Sequence, residues 1–170
     1  MKVLYDGPVR VSYFQLYVMS GGTFASDPAE SNHGQVNGLC GAALPGTLFL
    51  TTGLHFGHTT FTVELYDDQP PVDSSWEEVV EVSFRPVEDE VALVEWAGEA
   101  VHLLELPGAD YRVRYCASGM DAAADADTVG DDEPALDRYL LQFWPAKAEP
   151  DVIVKQTSEM AKYWHQAWKD

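Results

Sequence analysis

The sequence predicts a mainly β fold, an antiparallel β-sandwich of about eight strands with one C-terminal α-helix. Apolar and polar residues alternate with a period of two in several short runs, and turn residues such as Gly and Pro separate these runs at short spacing. Helical periodicity is confined to the C-terminal end. With 170 residues, 46% of them apolar, the chain suits one core, so we expect a single domain over 1–170.

The N-terminal half contains the first strands of the predicted sandwich. Between Val9 and Met19, Phe14, Leu16 and Val18 alternate with polar and tyrosine positions, which predicts one strand. Residues 20–37 are rich in Gly, Ser, Asn, Asp and Pro and predict a long loop. The next strand-like runs cover residues 39–43, 47–51 and 58–66.

Pro70-Pro71 interrupts the strand pattern, because proline has no amide N–H to donate to a ladder. The alternation of apolar and polar residues resumes after it. We predict a strand that starts near Trp76. Low complexity and seven acids without Lys or Arg predict a mobile acidic loop at about 120–137. The other strand-like runs cover residues 91–96, 100–106, 111–118 and 138–144.

A helix is predicted at about residues 157–169. Thr157 or Ser158 provides the N-cap, because a side-chain oxygen there accepts a hydrogen bond from the first helical turn. Apolar residues then recur at intervals of three and four. We therefore expect one face of the helix to dock on the sheet, with these residues: Met160, Tyr163, Trp164, Ala167 and Trp168.

The charge balance limits the classes of partner. Ten Lys and Arg stand against 28 Asp and Glu, a formal net charge of −18, which repels nucleic acids and anionic membranes and favours encounter with a basic protein. No signal peptide or membrane span is visible, so we expect a cytoplasmic protein. Cys40 and Cys116 lie in apolar runs, which predicts buried free thiols and no disulfide framework.

Three segments carry a resemblance to a known family: Val11–Val18, Phe61–Tyr66 and Leu104–Tyr115. In order and spacing they resemble the competence protein J family over about residues 9–117, and the C-terminal third lies outside the resemblance. The family consists of small intracellular bacterial proteins. The resemblance implies an inhibitor of a DNA-entry nuclease.

Acidic residues dominate the span from Asp67 to Glu105, where Arg85 is the only cation among twelve acids. If its strands are neighbours, their outward carboxylates form a face that imitates a phosphate array and complements a basic nuclease groove. We therefore predict a basic protein partner, with these candidate partner-binding residues: Glu77, Glu78, Glu81, Glu88, Asp89 and Glu90.

Other functions depend on different residues. Exposed rings of Trp76 and Trp96 would suit a small-ligand or carbohydrate-binding protein. A metal-dependent enzyme would need a third ligand beside His55 and His58. Residues 125–136 lack the acids that an EF-hand loop requires at its positions 5 and 12. No catalytic residue can be nominated, and we expect a non-enzymatic protein without cofactor or metal.

Overall fold

A computed structural model describes residues 1–21 and 27–169. Within these ranges no helix has the length and apolar character needed to cross a lipid bilayer. The strands are β1 (Lys2–Ser12), β2 (Gln15–Ser20), β3 (Cys40–Gly41), β4 (Thr47–Thr51), β5 (Phe56–Leu65), β6 (Glu78–Phe84), β7 (Val91–Glu95), β8 (Val101–Leu104), β9 (Tyr111–Ser118), β10 (Thr128–Val129), β11 (Arg138–Pro145) and β12 (Val152–Lys155). The helices are α1 (Pro28–Ser31), α2 (Met120–Ala126) and α3 (Glu159–Ala167).

All twelve strands belong to one mixed sheet that curls into a half-barrel. The first wing has the order β12-β6-β9-β11-β5-β1, and the second wing has the order β8-β7-β2-β4-β3. The two wings join at the connection between β1 and β2. Apolar side chains from the inner faces of both wings form the main core.

The predicted mainly β class is confirmed, but the antiparallel sandwich of about eight strands is wrong. Strand β11 lies between β9 and β5 and runs parallel to β5, and β10 also pairs in parallel with β5. The run predicted at 39–43 contains β3, whereas residues 2–8 of β1 and the short strands β10 and β12 were not predicted. The alternating pattern therefore predicted most strands but not their order in the sheet.

The single strand predicted over residues 9–19 is two strands joined by a two-residue turn. Ser12 pairs with Gln15, and the intervening Tyr13 and Phe14 have φ values of 56° and 63°. Hairpins of this kind usually contain Asn-Gly, because those residues adopt positive φ readily. Tyr13-Phe14 gives no such signal, so the alternating pattern concealed the turn.

The acidic segment 120–137 is not a simple loop, because it contains α2 and β10. Met120 and Ala123 of α2 are buried in the main core. The carboxylate of Asp121 accepts the amide N–H groups of Glu159 and Met160, at 3.1 and 2.9 Å. An Ala-rich acidic sequence thus forms a helix because it packs on the core and holds the start of another helix.

The C-terminal helix α3 confirms the predicted element. The hydroxyl of Ser158 accepts the Ala161 amide N–H at 3.1 Å, and Ala161 is buried in the core. Burial lowers the pKa of His165 to about 4, and its Nδ1 accepts the Gly38 amide N–H at 3.0 Å. Trp164 packs on Phe14, but Tyr163, which is 59% exposed, and Ala167, which is also exposed, do not dock on the sheet as predicted.

Candidate functional site

The strands between Asp67 and Glu105 do not form one carboxylate-covered face. Strand β6 pairs with β9 and β12 in the first wing, whereas β7 and β8 pair in the second wing. Their outward side chains therefore lie on separate surfaces. The six predicted partner-binding residues accordingly divide into two groups of three.

Glu78 is fully buried and serves the fold. Its carboxylate accepts the amide N–H groups of Thr157 and Ser158 and, at 2.9 Å, the Ser158 hydroxyl. Burial raises the pKa of Glu78, and these hydrogen bonds oppose that rise. This arrangement places a carboxylate at the start of α3, where the helix dipole favours negative charge.

Glu81 and Glu77 also have partners within the chain. Glu81 lies 2.9 Å from Nε of Arg114, which is 1% exposed and also donates to Gln142. Glu77 accepts the Gly119 amide N–H at 2.6 Å. Each of these three acids therefore already accepts hydrogen bonds from groups of its own chain.

Glu88, Asp89 and Glu90 are exposed in the connection between β6 and β7. Glu88 and Glu90 border a cleft of about 350 Å³ on the outer surface of the second wing. We call this site the acidic cleft, and its lining residues are Met19, Gly21, Glu88, Glu90, Ala92, Val94 and Val101.

The apolar floor of the acidic cleft follows from the register of β2 and β7. Val18 pairs with Leu93 and both belong to the main core, whereas the next pair, Met19 and Ala92, points to the opposite face. On that outer face they form a second apolar cluster with Tyr17, Phe49 and Val94.

The sequence analysis did not predict the apolar floor of the acidic cleft, although the composition of β7 indicates it. Its run Val91-Ala92-Leu93-Val94 is apolar at every position, which is typical of a strand covered on both faces and not of a half-exposed one. Val101, across from Val94 on β8, is 47% exposed and extends this apolar surface.

An apolar floor beside two carboxylates is suited to a long cationic side chain. The aliphatic stem of a Lys or Arg contacts apolar surface while its charged end stays in water or pairs with a carboxylate. Neither Glu88 nor Glu90 has a hydrogen-bonded side-chain partner among the described residues. The acidic cleft can therefore bind a basic group from outside the chain.

The aromatic stacking surface predicted for a ligand-binding protein is not formed at Trp76. Trp76 is 7% exposed, and the guanidinium of Arg138 lies 4.0 Å from its ring centroid. Trp96 is partly buried, packs on the outer apolar cluster and contacts the ring of Tyr13. The two tryptophans thus lie in different wings and do not form one platform.

The two histidines of the metal hypothesis have separate partners. Nδ1 of His55 lies 3.1 Å from Asp127, and Nε2 of His58 lies 2.7 Å from the carbonyl oxygen of Glu133. Across residues 1–21 and 27–169, no group of three His, Cys, Asp or Glu side chains is placed to hold a metal ion. Cys40 and Cys116 are buried free thiols, as predicted.

Comparison with known proteins supports the fold. No family model and no curated protein sequence matches the chain. One similar solved structure is ComJ from Bacillus subtilis, an inhibitor of the DNA-degrading activity of NucA, with a TM-score of 0.56 and 17% identity over 85% of this chain and 98% of ComJ.

A second similar structure is the protein of crocagin biosynthetic gene J, with a TM-score of 0.56 and 14% identity over 86% of this chain and 98% of that protein. Both matches cover a larger share of the chain than residues 9–117, so the likeness extends into the C-terminal third. We conclude that this chain has the ComJ fold.

Proposed function

We propose that the chain is a non-catalytic protein that binds a basic nuclease and inhibits it. The observation that carries this proposal is the acidic cleft, where Glu88 and Glu90 lie beside an apolar floor and have no side-chain partner within residues 1–21 and 27–169. A net charge of −18 adds a long-range attraction toward a basic partner. Local and long-range features therefore favour the same class of partner.

The comparisons support the proposal through the fold. ComJ is an inhibitor of a DNA-degrading activity, and the present chain has the same fold. The crocagin protein has this fold in a biosynthetic setting, and a fold hosts more than one function. The cleft and its charge support a basic protein as the partner. The likeness to ComJ favours a nuclease among the basic proteins.

The direct test measures inhibition of DNA degradation. A NucA-type nuclease from the host of this chain is incubated with DNA and increasing amounts of the purified protein. We expect degradation to fall as protein is added and to stop near equimolar protein once the nuclease concentration exceeds the dissociation constant of the complex. Heat-unfolded protein of the same charge is the control. Undiminished degradation, or equal inhibition by the unfolded chain, would refute the proposal.

A further inference from the structure

Four residues other than glycine have left-handed backbone conformations in the described chain. Tyr13 and Phe14 have φ values of 56° and 63°, Ala97 has 56° and Asp127 has 64°. They come from three separate connections, the β1–β2 turn, the turn after β7 and the end of α2. Such residues are rare, and they concentrate at binding and catalytic sites.

Contacts bring all four residues to one place. The Tyr13 ring centroid lies 5.0 Å from that of Trp96 and 4.8 Å from that of Phe56, and Phe14 stacks on His55 at 4.5 Å. Ala97 follows Trp96 directly, and Asp127 binds His55. We name this cluster the aromatic ridge and define it as Tyr13, Phe14, His55, Phe56 and Trp96.

Core packing does not account for the whole ridge. Phe14 is partly buried and packs on Trp164, so its position has a packing role. Tyr13, by contrast, is 48% exposed. A bulky aromatic residue thus occupies a turn position that favours Asn or Gly and yet presents about half of its surface to solvent.

The surroundings of the ridge fit a cation. Asp127 is exposed and accepts from His55 and the Thr128 hydroxyl, and Glu99, whose amide N–H donates to the Trp96 carbonyl oxygen, is exposed. The two cation-π contacts of the described residues lie elsewhere, at Trp76 and Trp144. Trp96 also packs on the apolar cluster that forms the floor of the acidic cleft, so the ridge continues that surface. A planar guanidinium stacks on aromatic faces and pairs with carboxylates, which a lysine ammonium does less well.

We infer that the aromatic ridge receives an arginine side chain of the partner, with Tyr13 and Trp96 as the stacking rings. This inference rests on the proposed function for the identity of the partner. It adds a second contact that supplies affinity, because partly exposed aromatic residues that pair with arginine are typical interface hot spots.

A first experiment needs no nuclease. N-acetyl-arginine amide is titrated into the full chain while NMR follows the Trp96 indole N–H. We expect this signal to shift, with N-acetyl-lysine amide giving about a threefold smaller effect, because guanidinium stacks better than ammonium. Tyr13→Ala should abolish the shift, and Tyr163→Ala, which removes an exposed tyrosine from α3, should retain it. A Trp96 signal that stays in place, or that shifts equally in Tyr13→Ala, would overturn the inference.

A second experiment uses the nuclease complex. We expect Tyr13→Ala to weaken binding about tenfold or more, whereas Tyr13→Phe and Tyr163→Ala should stay within about threefold of wild type. Thermal melting of each variant checks that it folds. If wild type binds the nuclease and Tyr13→Ala binds equally well, the assignment of the aromatic ridge is wrong and the proposed function stands. If wild type binds no nuclease, the proposed function fails, and the arginine titration still decides the ridge.

Discussion

At the scale of single residues, the left-handed positions have a cost that the rest of the fold must offset. Each such position costs roughly 1–3 kcal/mol for a residue with a Cβ atom. At Tyr13, Phe14 and Asp127, ring contacts or hydrogen bonds accompany that cost. Ala97 is exposed and contributes only a methyl group, so its strain can be measured without the loss of a side-chain contact.

We predict that Ala97→Gly leaves the free energy of unfolding unchanged or raises it by up to about 1 kcal/mol. Glycine adopts positive φ without steric cost, which offsets the extra freedom that it gives the unfolded chain. The control is Ala148→Gly at an exposed position with ordinary φ, which should lose about 0.5–1 kcal/mol. Urea unfolding measures both variants, and equal losses would contradict the assigned strain at Ala97.

At the scale of elements, helix α3 is held by two carboxylates from distant parts of the chain. Glu78 on β6 binds the residues that precede the helix, and Asp121 on α2 binds its first turn. The amide groups at a helix start have no partner within the helix, so these acids satisfy them. In return, Thr157 and Ser158, just before the helix, donate the hydrogen bonds that offset the cost of burying the Glu78 carboxylate.

We predict that removal of residues 157–170 lowers the free energy of unfolding by at least about 3 kcal/mol, because the core contacts of Ala161 and Trp164 are lost and Glu78 loses its hydrogen-bond donors. Glu78→Gln in the truncated chain should recover part of this loss, since a neutral amide is less costly to bury. Tyr163→Ala in the full chain is the control and should change stability by less than about 0.5 kcal/mol. Equal urea midpoints for the full and truncated chains would contradict this account.

At the scale of the whole molecule, the sequence predicts elements better than arrangement. Strand β9 has the predicted bounds, because Pro107-Gly108 separates it from the strand before and its residues have strand character. The position of β11 beside β5 depends on pairing between residues about 80 apart, which no local pattern encodes. For the same reason Glu78 and Glu81 looked exposed, since their partners Ser158 and Arg114 lie far along the chain.

For the candidate site, the sequence likewise predicts only the exposure of individual residues. Glu88, Asp89 and Glu90 lie in an exposed connection, as a run of acids beside a Pro residue indicates. The neighbouring apolar floor needs β2 and β7 side by side, and the aromatic ridge needs three turns to meet. These juxtapositions are properties of the folded sheet and not of any segment.

We predict that Glu88→Lys with Glu90→Lys slows association with the nuclease about tenfold at low salt and weakens its salt dependence, because charges at an interface act chiefly on encounter. The matched control reverses Asp67 and Asp68, which are equally exposed and change the net charge by the same amount. That double variant should slow association by less than about threefold. Stopped-flow rates measure both, and identical slowing would show that total charge acts and not the acidic cleft.

The place of β11 in the sheet has a consequence for how the protein is made. A ribosome releases the chain from its N-terminus, so β5 and β9 emerge well before the strand that fills the space between them. Until residues 138–145 leave the exit tunnel, both strands present an open edge of unpaired backbone N–H and C=O groups. Chaperone binding to nascent chains should therefore peak just before β11 is released and fall once it inserts.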